Sequence, residues 1–202
     1  MPLELITEAE ARTLLRPHFG ALRACFEGAW NDWQELESEL VRKAPKFRTT
    51  SRANLMYDLL VARLQHAFED TPGVSFNSNP GFLALTFGDR LVVRFKKFRS
   101  KQLKVSQIMT LQQRRLSRQE LDLGINATTV IAGYLLDALG TELKKLAVVC
   151  PLNGENVWEI DLHSGEADGL GGIFTFPTPD SGAPKPGIRS RKPKTMPQAE
   201  TE

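Results

Sequence analysis

The chain has 202 residues, of which 41% are hydrophobic and 25% are charged, and its formal net charge at pH 7 is +2. These values are those of an ordinary globular domain, so they argue against a disordered or fibrous chain and favour a single domain. The sequence has no apolar run of about 20 residues and no secretory signal pattern, so no membrane contact is expected. Cys25 and Cys150 lie in apolar stretches, which predicts buried free thiols and a reducing, cytoplasmic location.

The N-terminal part of the chain has the periodicity of amphipathic helices. Residues 8 to 43 place apolar side chains at intervals of three and four. Pro17 and Gly20 interrupt this pattern early, so we expect a short first helix and a longer second one. Residues 52 to 69 predict a further helix with apolar side chains on one face.

The apolar period then changes to two, which is typical of β-strands. Strands are predicted at residues 74 to 77, 82 to 87 and 90 to 98. Gly88 and Asp89 separate the last two of these strands. Because glycine accepts a positive φ without a Cβ clash, this pair predicts a tight hairpin turn of the primed type.

The next part of the chain is harder to assign. Residues 99 to 125 are polar, basic and poorly periodic, and they are interpreted as loop with some helix. Asn126 or Thr128 is a candidate cap for a helix that runs through Leu139 and stops at Gly140.

A second hairpin closes the folded part of the sequence. Its strands are predicted at residues 146 to 151 and 156 to 162, on either side of Asn153 and Gly154. The order helices, three strands, helix, hairpin predicts an α+β fold with a small, mostly antiparallel sheet after N-terminal helices.

Composition divides this chain into three regions. Residues 1 to 49 are interpreted as an N-terminal helical extension and residues 50 to 163 as the α/β core. Residues 164 to 202 are rich in glycine, proline and basic side chains. Since so little apolar surface can be buried there, we expect a disordered tail.

Positive charge is concentrated between residues 90 and 118, which contain ten Lys or Arg and no Asp or Glu. Strand alternation places Arg90, Arg94 and Lys96 on one face. Such a row can follow a phosphate backbone, although a solvated face or a charge-protected edge strand would show the same pattern. The candidate nucleic-acid contacts are Arg90, Arg94, Lys96, Lys97, Arg99, Lys101, Lys104, Arg114 and Arg115.

A protein-interaction subunit, similar to an antitoxin, is the first alternative. Trp30 and Trp33 lie in the long N-terminal helix, and tryptophan is enriched at interface hot spots, so both are candidate partner-binding residues. Aromatic side chains at helical spacing are, however, more often part of a core.

The sequence motifs of several enzyme classes are absent. The chain lacks a Walker loop, a dinucleotide fingerprint, a His-Glu-x-x-His pair and a nucleophile elbow. The three histidines lie on separate predicted elements and have no acidic partner nearby in sequence. We therefore assign no catalytic residue, metal or cofactor from the sequence.

Over about residues 52 to 161, the order helix, three strands, helix, strand resembles the core of the PD-(D/E)XK nuclease superfamily. In that family an acid on the second strand and a Glu-x-Lys on the third bind a divalent metal that activates water. Lys96 matches the lysine, but Arg94 replaces the carboxylate, and Asp89 lies in the turn before the strand. The resemblance implies a non-catalytic derivative that kept a nucleic-acid surface, with a degenerate nuclease-like enzyme as the alternative.

A further pattern consists of Phe95, Lys96, Lys97, Gln112, residues 130 to 137, Val149, Cys150, Pro151 and Trp158. Over roughly residues 50 to 162 this pattern resembles that of a family of uncharacterised bacterial proteins. The resemblance implies that the protein is encoded in a mobile element, a defence system or a toxin–antitoxin module, beside a repressor-like or metallopeptidase gene. The basic residues after Asp89 lead us to expect a non-catalytic accessory or regulatory protein that contacts nucleic acid, in a bacterial defence or toxin–antitoxin module as the resemblance implies.

Overall fold

The computed structural model describes residues 5–40, 47–79, 82–105, 115, 118–119 and 127–164. Within these ranges, three α-helices precede a six-stranded sheet. The helices are α1 (Glu8–Leu15), α2 (Phe19–Leu40) and α3 (Thr49–Phe68), with a short 3-10 turn (Arg16–His18) between the first two. The strands are β1 (Val74–Asn79), β2 (Phe82–Phe87), β3 (Leu91–Lys97), β4 (Thr128–Leu136), β5 (Leu143–Leu152) and β6 (Glu155–Asp161).

The sheet follows the order of the sequence, from β1 at one edge to β6 at the other. All neighbouring strands are antiparallel except β3 and β4, which are parallel. Two three-stranded meanders are therefore joined by a crossover between β3 and β4. The fold is α+β with a mostly antiparallel sheet, as the sequence predicted.

The helices pack against one face of this sheet, and a single hydrophobic cluster extends from Ile6 to Leu162. Phe26 and Trp33 of α2 belong to it, together with Phe95 of β3 and Val148 of β5. Helices α1 and α2 thus contribute to the same core as the sheet. We call the sheet surface that they cover the helix face and the opposite surface the far face.

Local chemistry explains the helix boundaries near the N-terminus. Thr7 and Glu10 form a capping box, in which the Glu10 amide donates to Thr7 Oγ1 (3.3 Å) and the Thr7 amide donates to Glu10 Oε2 (3.0 Å). Pro17 lies in the first turn of the 3-10 segment, where its missing N–H is tolerated. The predicted break between a short and a long helix is confirmed.

Both predicted hairpin turns are confirmed by their backbone angles. Gly88 and Asp89 have φ values of 56° and 53°, and the Arg90 amide donates to the Phe87 carbonyl oxygen (3.3 Å). Asn153 and Gly154 have φ values of 50° and 88°. Positive φ at both central residues is the requirement of a type I′ turn.

The helix predicted from Asn126 or Thr128 to Leu139 is wrong, because Thr128–Leu136 is strand β4. This segment is a nearly continuous apolar run, so its periodicity does not distinguish a buried helix from a central strand. Thr128, Thr129, Val130 and Ile131 are β-branched and suit a strand. Burial on both faces, between β3 and β5, selects the extended conformation.

None of the helices in the described ranges is both long enough and apolar enough to span a bilayer. The predicted disordered tail, residues 164 to 202, falls almost wholly outside the described residues, which end at Ser164.

Candidate nucleic-acid interface

The chain that follows β3 forms a closed loop over residues 98–105, which we call the basic loop. The Arg99 amide donates to the Lys104 carbonyl oxygen (2.9 Å), and the Leu103 amide donates to the Ser100 carbonyl oxygen (2.9 Å). Leu103 has a φ of 55°, a left-handed conformation that reverses the chain inside the loop. These internal bonds give the loop a defined shape before any ligand binds.

Two apolar side chains anchor the basic loop on the far face. Phe98 and Leu103 are each 1% exposed and pack with Ile131 of β4 and Val149 of β5. Phe98 lies directly over Gly133: a Cβ there would be 2.7 and 2.8 Å from two ring carbons of Phe98 and 2.4 Å from the Lys96 carbonyl oxygen. Gly133 is therefore required for Phe98, and with it the basic loop, to pack this closely on β4.

The cationic side chains of the basic loop remain at the surface. Arg99, Lys101 and Lys104 are exposed residues. Lys104 Nζ forms an ion pair with Glu155 Oε1 (2.9 Å), and Asn156 Nδ2 donates to the Gln102 carbonyl oxygen (3.0 Å). These two contacts tie the loop to the start of β6, while Arg99 and Lys101 form no ion pair within the described residues.

A second group of cations lies where β3 ends. Lys97 is in register with Tyr134 of β4, and burial, followed by the charges of Arg52 and Arg99, lowers the pKa of Lys97. Arg52, in the first turns of α3, donates to the Gly140 carbonyl oxygen (3.0 Å) and forms an ion pair with Glu37 (2.6 Å). Its guanidinium also lies 5.4 Å from the centre of the Trp33 ring. Glu37 offsets the charge of Arg52, so the excess positive charge at the end of β3 comes from Lys97 and Arg99.

Positive charges that act on one another raise the free energy of the protein, and a bound anion offsets this cost. Neither Lys97 nor Arg99 is paired with a carboxylate in the part of the chain that the structure describes. We call Arg52, Lys97, Arg99 and Lys101 the cationic patch.

The structure divides the nine predicted contact residues. Arg90 lies at the opposite end of β3, exposed, and is paired with Glu10 (2.9 Å). Arg94 lies on the far face and is only 3% exposed, so a ligand in solution cannot reach its guanidinium. Lys96 is half-buried, and burial, followed by the charge of Arg94, lowers its pKa. Alternation along β3 was predicted correctly, but the face that carries these side chains is largely covered.

The remaining predicted contacts follow in the sequence from the last residue of β3 onward. Lys97, Arg99, Lys101 and Lys104 are brought together at the end of β3 and in the basic loop. Arg115 is exposed, and Arg114 lies outside the described residues.

Both candidate partner-binding tryptophans are part of the core. Trp30 is 7% exposed and Trp33 is 0% exposed, and the Trp33 ring also meets Phe47 edge-on at 5.7 Å. Neither indole offers a free apolar surface, so the interaction hypothesis is left without the anchor on which it was based.

Sequence reasoning missed Arg52 as a member of the patch and Phe98 and Leu103 as its anchors. Arg52 reaches the end of β3 from a helix that lies about 45 residues earlier in the chain, and no local pattern signals that contact. Gly133, a glycine inside an apolar run, was the available signal for close packing over β4.

Within the described ranges, no three His, Cys, Asp or Glu side chains are grouped so that they could hold a metal ion. Cys25 and Cys150 are both buried and free, as predicted, and burial raises their pKa values to about 12 and about 11. The segment taken as the second helix of a nuclease-like order is strand β4, which removes one basis of that resemblance.

Comparison of the chain with protein-family models, with curated proteins and with solved structures found no match.

Proposed function

We propose that this protein is a non-catalytic accessory or regulatory protein that contacts nucleic acid through the cationic patch and the basic loop. The observation that carries the proposal is that Arg99 and Lys101, on the hydrogen-bonded basic loop, are exposed and form no ion pair within the described residues. They follow Lys97, whose pKa is lowered by burial and then by the charges of Arg52 and Arg99. The resemblance of the sequence pattern to bacterial mobile-element and defence-associated proteins implies a regulatory place in such a module.

The shape of the site supports a phosphate backbone as the ligand. A nucleic acid presents a line of evenly spaced negative charges, and each phosphate that a Lys or Arg neutralises releases a condensed counterion. The basic loop is closed by backbone hydrogen bonds and anchored by Phe98 and Leu103, so little order has to be gained on binding. Contacts of this kind position a nucleic acid without reading its sequence.

The test measures binding of the full chain to labelled single-stranded and duplex DNA and RNA by fluorescence anisotropy, over a series of salt concentrations. The first variant, Arg99→Gln with Lys101→Gln, removes two exposed positive charges from the patch. The matched control, Gln34→Glu with Gln65→Glu, changes the net charge by the same amount at exposed positions of α2 and α3.

We expect wild-type affinity to fall steeply as salt is raised. Each phosphate contact on duplex DNA contributes about 0.9 to the slope of log K against log salt, so the patch variant should lose about 2 from that slope. The control should keep the slope of the wild type. Binding that is absent for all four nucleic acids, or that falls equally in patch variant and control, contradicts the proposal.

A further inference from the structure

The two edges of the sheet differ in charge. Strand β6, at one edge, carries Glu155, Glu159 and Asp161 along its seven residues. Strand β1, at the other edge, reads Val-Ser-Phe-Asn-Ser-Asn and has no charged side chain. Charged side chains, prolines and bulges are the usual means by which an edge strand avoids pairing with another chain. In the part of the chain that the structure describes, the sheet is protected by charge at β6 and has no such protection at β1.

The hydrogen bonds around β2 show which backbone groups of β1 point outward. Ser78 is in register with Leu83, but the Leu83 amide donates to Tyr57 Oη (3.1 Å) on its other side. Ser78 and Leu83 are therefore a non-hydrogen-bonded pair. Because this pattern alternates, the N–H and C=O groups of Val74, Phe76 and Ser78 point away from β2.

A bond at the start of the strand agrees with this assignment. The Gly88 amide donates to the Gly73 carbonyl oxygen (3.0 Å), so the odd-numbered residues face β2. The Val74 amide donates to the Thr71 carbonyl oxygen (3.2 Å). Within the described residues, the outward groups left for a new strand are the N–H of Phe76 and Ser78 and the C=O of Val74, Phe76 and Ser78.

We propose that β1 pairs antiparallel with β1 of a second copy of this chain, about a two-fold axis at Phe76. The two Phe76 residues would exchange both backbone hydrogen bonds. Each Ser78 amide would donate to the Val74 carbonyl oxygen of the second copy, which uses the outward groups symmetrically. The two sheets would then form one continuous sheet of twelve strands, twice the six of one chain.

The side chains of β1 are compatible with this self-pairing. Phe76 packs partly against the core on the helix face, so the two phenylalanines would be cross-strand neighbours there. On the far face, Ser75 would lie opposite Asn77 of the second copy. No like charges meet, because the strand has none.

Antiparallel pairing of two copies of β6 about a two-fold axis would be unfavourable. An antiparallel pairing centred on Val157 places Glu155 opposite Glu159 of the other copy, and one centred on Trp158 places Glu155 opposite Asp161. Lys104 and Lys145 pair with Glu155 and Glu159 within the chain, which reduces this repulsion without removing it, so charge favours β1 as the self-pairing edge. A foreign peptide would need no two-fold symmetry, and the test separates it from a second copy.

The test measures the mass of the full chain in solution by sedimentation velocity over a range of protein concentrations. The variant Ser75→Lys with Asn77→Lys puts two like-charged pairs across the proposed contact. Ser75→Lys with Asn77→Glu puts each new lysine opposite a new glutamate instead. Val157→Lys, at an exposed position of β6, is the matched control.

We expect a reversible dimer for the wild type and the Val157→Lys variant. The double-lysine variant should raise the dissociation constant about tenfold, and the lysine–glutamate variant should restore it. Circular dichroism confirms that each variant is folded. Should the double-lysine variant not fold, hydrogen exchange of the wild type replaces it, with concentration-dependent protection expected at the Phe76 and Ser78 amides.

Three outcomes overturn the proposal. The first is a wild type that stays monomeric at every concentration, including one that binds a foreign peptide at β1. The second is a dimer that the double-lysine variant leaves intact. The third is a dimer without added protection at the two amides. Each of them leaves the proposed nucleic-acid contact untouched, since the cationic patch is not part of β1.

Discussion

Gly133 is the position at which one methyl group should weaken both the fold and the nucleic-acid surface. In Gly133→Ala the new Cβ would lie 2.4 Å from the backbone oxygen of Lys96 and under 3 Å from the Phe98 ring. The ring can move, but the Lys96 carbonyl belongs to a paired central strand and cannot move without disturbing the sheet. Overpacking of a core costs about 1–3 kcal/mol, and we expect the upper half of that range here, about 2–3 kcal/mol.

The assay is urea unfolding followed by circular dichroism, with the free energy of unfolding obtained by linear extrapolation. Gly20→Ala is the matched control, because Gly20 is an exposed residue of α2 and a Cβ there meets no atom within 4 Å. Alanine in a helix is favoured over glycine, so this control should gain about 0.5–1 kcal/mol.

Displacing Phe98 should also loosen the basic loop, so Gly133→Ala should bind nucleic acid more weakly under conditions in which it is still folded. A free energy of unfolding within about 0.5 kcal/mol of the wild type would refute the reasoning, since that is the range of a harmless surface substitution.

Three further outcomes follow from single contacts. Gln119→Ala should lower the free energy of unfolding by about 2–3 kcal/mol, because the side-chain oxygen of Gln119 accepts from the Thr129 backbone amide (2.8 Å) and its Nε2 donates to the Thr129 and Pro151 carbonyl oxygens. Unchanged stability in urea would contradict this. Asp32→Asn should cost about 1 kcal/mol, because Asp32 holds Arg63 by two hydrogen bonds of 2.6 and 2.7 Å in a partly exposed pair, and salt should shrink the difference. Burial lowers the pKa of His18, which packs on Phe68 and Phe87. The unfolded chain therefore binds this proton first, and stability should fall as the pH drops below 6.5 towards the lower folded pKa; His18→Leu should remove that part of the dependence, and an unaltered pH profile would exclude it.

Elements with local signals were predictable from the sequence. Pro17 marked the break between α1 and α2, and the Gly88-Asp89 and Asn153-Gly154 pairs marked the two hairpin turns. These signals act within a few residues, so they do not depend on the rest of the fold.

The crossover and β4 were not predictable in the same way. Thr128–Leu136 is apolar on both sides because strands flank it and both faces are covered, and the sequence does not show what covers it. The burial of Arg94 has the same origin. Alternation assigned it to a face, but only the tertiary structure decides whether that face meets water.

The candidate site was predicted in composition and not in shape. The excess of basic residues after β3 was evident in the sequence, and Lys97, Arg99 and Lys101 remain in the patch. The sequence did not show that Phe98 and Leu103 fasten the loop over β4, or that Arg52 joins it from α3.

The most direct test of the central claim is a hydrogen-exchange footprint of the protein with and without bound nucleic acid. If the basic loop and the end of β3 form the contact, peptides that cover residues 97–105 should exchange more slowly in the complex, and raising the salt should abolish the difference. Protection confined to other surfaces, with residues 97–105 exchanging at the same rate in both samples, would contradict the account.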